Sequence, residues 1–133
     1  MTLERAQRLI AEALAAGRAR GARPLAAVVV DAGGHIVASA RADGATIARH
    51  EFALAKAWSC IALGLDSRDL VARVEADPAF FSAAATLLSG GLLPAAGGVL
   101  IREGEQVLGA LGISGDTGET DDACATAAAR ELN

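Results

Sequence analysis

Two stretches of the chain each contain a pair of short apolar runs separated by a tight turn, and this pattern constrains the fold most. The first stretch covers residues 25–40 and turns at Ala32-Gly33-Gly34, and the second covers residues 99–113 and turns at Glu103-Gly104-Glu105-Gln106. Short apolar runs bounded by glycine-containing turns are typical of strands, and such connections join antiparallel neighbours. The sequence therefore predicts two β-hairpins, whose four strands can share one sheet.

Helical patterns fill the segments before, between and after the hairpins. Five helix starts are predicted from residues that favour helix termini: Thr2, Thr46, Ser67, Asp77-Pro78 and Thr120. The first helix is expected to end between Gly17 and Gly21, and the second to cover 47–63 and stop before Gly64. The closing helix is expected to run from Asp121 to about Leu132. This order predicts an α+β fold in which helices flank an antiparallel sheet of about four to five strands. At 133 residues, a single domain over 1–133 is expected.

The composition bears on assembly. Hydrophobic residues make up 53% of the chain but aromatic residues only 3%, so the core must consist mainly of short aliphatic side chains. Such a core recovers limited apolar area in a chain of this length. We therefore expect burial to be supplemented between subunits, and we predict a homo-oligomer.

Charge and hydropathy limit the ligands that the protein is expected to bind and the compartment in which it is expected to lie. The formal net charge is −4 and the basic residues are scattered, which argues against nucleic acid as a ligand. The longest uncharged stretch, residues 80–101, is interrupted by glycines and Pro94, so no membrane span is predicted. The N-terminus lacks the pattern of a secretory signal, so a cytoplasmic location is expected.

Cys60 and Cys124 lie in alanine-rich helical patterns and are interpreted as reduced, buried thiols.

Polar residues at the ends of strands and the starts of helices are the first candidates for a site, because rigid elements there present loops to a ligand. They are Asp31, Arg41, Asp43, Ser114, Asp116, Asp121 and Asp122. Each of them also suits an ordinary turn or cap, and both interpretations stay open. The turn from Ser114 to Thr120 is glycine-rich and precedes a helix, so its amides are expected to face a pocket that accepts anions.

His50 is the candidate metal ligand. It shares a predicted helical face with Ala53, Ala57 and Cys60, a small-residue surface beside which a flat ligand would have room. Neutral imidazole is a common ligand of haem iron. A half-exposed histidine without a ligand is the alternative, whereas His35 follows a Gly-Gly turn and is expected to face solvent.

Arg49 and Lys56 lie on one predicted face of the same helix. Either cation could hold a carboxylate or a haem propionate. The alternative interpretation is a solvated helix face.

The sequence also resembles a known family, through motifs that occur in order along nearly the whole chain. They are Val29-Val30-Asp31-Ala32-Gly33-Gly34, Arg41-Ala42-Asp43-Gly44-Ala45, Ala55-Lys56-Ala57, Gly97-Gly98-Val99, Leu108-Gly109-Ala110-Leu111-Gly112-Ile113-Ser114-Gly115 and Asp121-Asp122-Ala123-Cys124-Ala125. On these residues the chain resembles the GlcG/HbpS-like family, which includes the C-terminal domain of PduO-type corrinoid adenosyltransferases. One departure is Leu100, where the family commonly has proline.

The resemblance implies a profilin-like layered domain in an oligomeric assembly. It also implies haem binding in at least some members, with a role in haem storage, sensing or degradation. On this first hypothesis haem is the cofactor, His50 is its axial ligand, and Arg41, Arg49 or Lys56 lie near the propionates.

Two other hypotheses stay open. In the second, the protein is an enzyme acting on a small carboxylate or an aromatic-derived metabolite. Asp43, Lys56, Ser114 or Asp121 would then transfer protons or capture the anion. In the third, the protein is an oligomeric scaffold without catalytic activity.

Overall fold

The fold is an antiparallel sheet with helices on both faces. A computed structural model describes residues 1–132; the last position of the predicted domain, residue 133, lies outside the described residues. Within them the elements are α1 (Leu3–Ala19), β1 (Ala26–Asp31), β2 (Ile36–Arg41), α2 (Ile47–Leu63), α3 (Ser67–Ala76), α4 (Pro78–Leu87), β3 (Gly98–Glu103), β4 (Gln106–Ser114) and α5 (Gly118–Glu131). The predicted α+β fold and both hairpins are confirmed, with four strands.

The two hairpins join through their inner strands. The strand order is β2-β1-β4-β3, and every neighbouring pair is antiparallel. In the central pair Val28 lies opposite Gly112 and Val29 lies opposite Leu111. Because β1 and β4 have strands on both sides and helices on both faces, their inner residues are almost completely buried.

The side chains of β1 alternate between two cores. Val29 contributes to a cluster with residues of α1 and α5, including Leu9, whereas Val28 contributes to a cluster with Ala53 and Ala57 of α2. The core between α2 and the sheet is thin. A methyl group at Gly112 would lie 1.9 Å from the carbonyl oxygen of Ala53, so the backbone of α2 packs directly on β4. Short side chains on α2 and glycine on β4 are therefore requirements of this packing.

Most predicted helix boundaries are confirmed. The Thr2 hydroxyl accepts a hydrogen bond from the Arg5 amide, and Gly64 ends α2 in the left-handed conformation at φ 71°. Asp77 caps α4, with Pro78 at its first position. None of the described helices has the length and apolar character needed to cross a bilayer.

Two predicted starts are wrong. The N-cap of α3 is Asp66, and Ser67 is instead a buried first residue of that helix. The closing helix begins at Gly118 rather than at Asp121, because the Thr117 hydroxyl accepts a hydrogen bond from the Thr120 amide and so caps it one turn earlier. This shift moves Asp121 from the mouth of the helix into its interior face.

Both cysteines are buried, as predicted, and neither forms a disulfide within residues 1–132. Cys60 belongs to the core on the α2 side of the sheet, and Cys124 belongs to the core on the opposite side. Burial raises the pKa of the Cys60 thiol to about 11 and also raises the pKa of the Cys124 thiol. Both side chains therefore stay neutral at physiological pH.

Candidate functional site

Lys56 and Asp121 form a buried ion pair where α2, β4 and α5 meet. The Lys56 ammonium lies 3.0 Å from an Asp121 carboxylate oxygen and donates a second hydrogen bond of 2.9 Å to the Ile113 carbonyl. Lys56 is only 4% exposed. The alternative interpretation of a solvated Lys56 face is therefore wrong, because α5 and the end of β4 cover this part of α2.

A cavity of about 240 Å³ opens beside this ion pair, and we call it the Lys56 cavity. Its lining combines charged and polar residues with apolar ones: Arg49, Lys56, Ser114, Asp116, Gly118 and Asp121, and Phe52, Leu93 and Ala95. The structure thus brings together five of the predicted site residues, from α2, the end of β4, the turn that follows it and α5. The sequence interpretation did not include the apolar members. Phe52 lies between Arg49 and Lys56 at helical spacing, and that spacing is the signal that would have identified it.

The turn between β4 and α5 is held by its own side chains. The Asp116 amide donates to Asp121, the Thr117 amide donates to Asp116, and the Thr120 amide donates to Thr117. The expectation that the amides of this turn face a pocket for anions is therefore wrong for these three, since each already has a partner. Ser114, Asp116 and Gly118 of this segment line the Lys56 cavity.

Asp116 also anchors the turn to the chain before β1. Its carboxylate accepts a hydrogen bond of 2.8 Å from the Arg23 amide and lies 3.6 Å from the Arg23 guanidinium. The amide of Arg23, followed by that of Thr117, lowers the pKa of the Asp116 carboxyl below its usual value. Asp116 is therefore ionised and paired with Arg23, although it also lines the cavity.

Arg41, a candidate for binding a propionate, and Asp43, a candidate for proton transfer, lie elsewhere. Arg41 and Asp43 line a second cavity of about 480 Å³, which we call the Arg41 cavity, together with Arg18, Arg23 and Pro24. The Arg41 guanidinium donates a 2.7 Å hydrogen bond to the Ala45 carbonyl. The structure therefore divides the candidates between two cavities rather than assembling them in one.

His50 lies half-buried on α2 and lines neither cavity. Ala53 and Ala57, which were expected to leave room for a flat ligand, are completely buried against the sheet. That expectation is wrong, because β4 already occupies the small-residue face. On the outer side of α2, Ile47 lies three residues before His50 and is 78% exposed. Leu54 lies four residues after His50 and is half-buried, because it packs partly against the core on the α2 side of the sheet.

His35 is exposed, as predicted. Its ring lies 3.5 Å from the Asp31 carboxylate, which also accepts hydrogen bonds from the amides of Gly33 and His35. The amide of His35 makes the largest contribution to lowering the pKa of the Asp31 carboxyl. Asp31 therefore serves the turn of the first hairpin.

Within residues 1–132, no three or more His, Cys, Asp or Glu side chains lie together in a group that could hold a metal ion.

Comparison with known proteins identifies the family. Residues 1–130 match a family model described as haem degrading protein HbpS-like. The chain belongs to the HbpS-like family. No curated protein matches the sequence significantly.

Solved structures of similar proteins share the fold of this HbpS-like chain. A double mutant of HbpS from Streptomyces reticuli is 26% identical with a TM-score of 0.87, and the match covers 100% of this chain and 87% of that one. The ORFY protein of Klebsiella pneumoniae is 26% identical with a TM-score of 0.90, covering 99% and 90%. A PduOC complex with haem is 25% identical with a TM-score of 0.89, covering 100% and 95%.

The departure of this HbpS-like chain at Leu100 has a structural counterpart. The Leu100 amide donates a 2.8 Å hydrogen bond to the Asp66 carboxylate, the N-cap residue of α3. Proline at this position would lack the donor. Leucine therefore ties β3 to the start of α3.

Proposed function

We propose that this HbpS-like protein binds haem. The family description and the haem complex of a structurally similar PduOC support this proposal. Haem needs an axial donor for its iron, an apolar surface for its ring and cations for its propionates.

A haem lying against the outer side of α2 fits these needs best. His50 supplies an imidazole, and Ile47 and the exposed part of Leu54 supply apolar surface on either side of it. Among the basic candidates, Arg49 is adjacent in sequence and forms no ion pair within residues 1–132, whereas Lys56 is already paired with Asp121. A haem held in this way is bound at a surface, since neither cavity includes His50.

One observation carries the choice of His50. Of the two histidines, His35 is exposed on a hairpin turn beside Asp31, whereas His50 is half-buried and bordered by apolar side chains. Met1 lies at the terminus, and both cysteines are buried in cores. When bound, haem iron supplies redox and oxygen chemistry; the part of this chain is to bind and orient the group.

The test is a spectroscopic titration of the full chain with haemin. Wild type is expected to give a defined Soret band with a fixed stoichiometry. His50→Ala should shift the band and weaken binding at least about tenfold, because metal affinity falls about 10- to 100-fold even when only an outer-shell partner is lost. His35→Ala is the matched control and should change neither property. An unchanged spectrum and affinity in His50→Ala would contradict the assignment of the axial ligand.

A further inference from the structure

The Lys56 cavity contains hydrogen-bond donors that the protein itself leaves unused. The Lys56 ammonium carries three N–H groups, and two of them bond to Ile113 and Asp121. Ser114, which is 1% exposed, lines the same cavity. A buried ammonium with an unused N–H group is costly unless another group accepts a hydrogen bond from it.

The charges around the cavity favour a single negative charge in the ligand. Asp121 neutralises Lys56, and Arg23, which does not line the cavity, neutralises Asp116. Arg49, which is half-buried, forms no ion pair in the described part of the chain and therefore supplies one unbalanced positive charge. Its planar guanidinium matches the geometry of a carboxylate, which can accept two parallel hydrogen bonds. A phosphate carries more negative charge than this lining balances.

The rest of the lining favours an acid with a short apolar body. Phe52, Leu93 and Ala95 form the apolar side of the cavity. Its volume of about 240 Å³ lies below the roughly 300–1,000 Å³ of pockets that hold drug-sized ligands. Apolar contact would supply binding energy, while the polar groups would fix the orientation of the ligand.

We propose that the Lys56 cavity binds the carboxylate of a small organic acid, with Arg49, Lys56 and Ser114 as donors. The apolar body of the acid lies against Phe52 and Leu93. The cavity does not include His50, and Ser114 and Lys56 have no part in the proposed haem site, so the proposal does not depend on haem binding although both proposals use Arg49.

Benzoate is a suitable probe, and benzamide is its uncharged control of the same shape. Titration of the isotope-labelled full chain by NMR is expected to give saturable shifts of the amide signals of residues 113–118 with benzoate. Benzamide should bind at least about tenfold more weakly, because it lacks the charge that pairs with Arg49.

Two variants test the donors without disrupting the Lys56–Asp121 pair. Arg49→Gln and Ser114→Ala are each expected to weaken benzoate binding about three- to tenfold. Arg18→Gln, in the Arg41 cavity, is the matched control and should leave benzoate affinity unchanged. Equal binding of benzoate and benzamide, or equal benzoate affinity in wild type and Arg49→Gln, would overturn the proposal.

A haem propionate is the other possible source of a carboxylate at this site. Haemin titrations of the same variants distinguish the two sources. If wild type takes up no benzoate while Arg49→Gln and Ser114→Ala weaken haemin binding, the carboxylate comes from haem and the proposal of a free acid fails. If benzoate saturates the cavity and Ser114→Ala weakens the binding of benzoate but not of haemin, the cavity binds a free acid, as proposed.

Discussion

Asp116 and Asp122 lie near the start of α5, and their environments displace their pKa values in opposite directions. Hydrogen bonds from the amides of Arg23 and Thr117 lower the pKa of the Asp116 carboxyl. Burial raises the pKa of the Asp122 carboxyl, helped by two neighbouring carboxylates and partly offset by Arg68, 3.4 Å away, and by Lys56. The two carboxylates facing it are Asp66 and Asp69. One oxygen of Asp122 is also buried without a hydrogen-bond partner within residues 1–132.

These shifts predict opposite pH dependence for two Asp→Asn substitutions. Ionised Asp116 stabilises the fold above its unfolded pKa of 3.8, and this contribution is lost as the pH falls through the lower folded value. For Asp122 the favourable contribution is present below 3.8 and is lost as the pH rises through the higher folded value. From about pH 3 to about pH 7, Asp116→Asn should therefore become less stable relative to wild type, and Asp122→Asn more stable.

Urea unfolding midpoints of the three proteins across this pH range check the prediction. Each variant acts as the control for the other, because both substitutions remove one carboxylate from neighbouring turns of the chain. Parallel curves for the two variants would contradict the assigned environments.

The packing of α2 on the sheet depends on glycine in β4. A methyl group at Gly112 would meet the Ala53 carbonyl at 1.9 Å and the Ala57 amide at 2.9 Å, and neither backbone group can rotate away. The helix must move outward if residue 112 has a side chain. Such a movement would also displace Lys56 from Asp121, since Lys56 lies on α2 and Asp121 lies on α5.

Gly112→Ala is therefore expected to destabilise the protein by about 3 kcal/mol or more, at the upper end of the cost of overpacking a core. Gly104→Ala is the matched control. Gly104 lies in the turn between β3 and β4 at φ 59° with no atom near its added methyl group, so its cost should be only about 1 kcal/mol of left-handed strain. Chemical denaturation of both variants measures the difference. Similar losses of stability would show that α2 is not in tight contact with β4.

The surface of the protein includes an apolar helix without a buried residue. In α4, Phe80 is 60% exposed and Leu87 is 84% exposed. The ring of Phe80 packs edge-to-face on the ring of Phe81. Exposed apolar surface of this kind is typical of regions that contact another protein. Together with the small aliphatic core, it supports the prediction of a homo-oligomer.

We expect a dimer or larger assembly at micromolar concentration, in which α4 contacts another copy of the chain. Replacing Phe80 and Leu87 together by aspartate should give a monomer, because buried charges would face an apolar surface. Light scattering coupled to size-exclusion chromatography measures the mass of both proteins. A mass of 13.3 kDa for wild type would contradict the prediction.

Local patterns in the sequence were sufficient for most of the secondary structure. The two hairpins and the ends of α1, α2 and α4 follow from turn and capping residues that act within a few positions of the chain. The small-residue composition likewise indicated a core without aromatic side chains. These features depend on neighbours along the chain, so the amino-acid order alone determines them.

The candidate site depended on contacts that no local pattern contains. The sequence placed Arg49 and Lys56 on one helical face, and left open whether that face was solvated. Lys56 is buried because Asp121, 65 positions later, lies against it once β4 has paired with β1. For the same reason the small face of α2 with Ala53 and Ala57 packs on β4 rather than on a ligand. Burial and ion pairing arise between segments far apart in the chain, so only the folded arrangement could settle them.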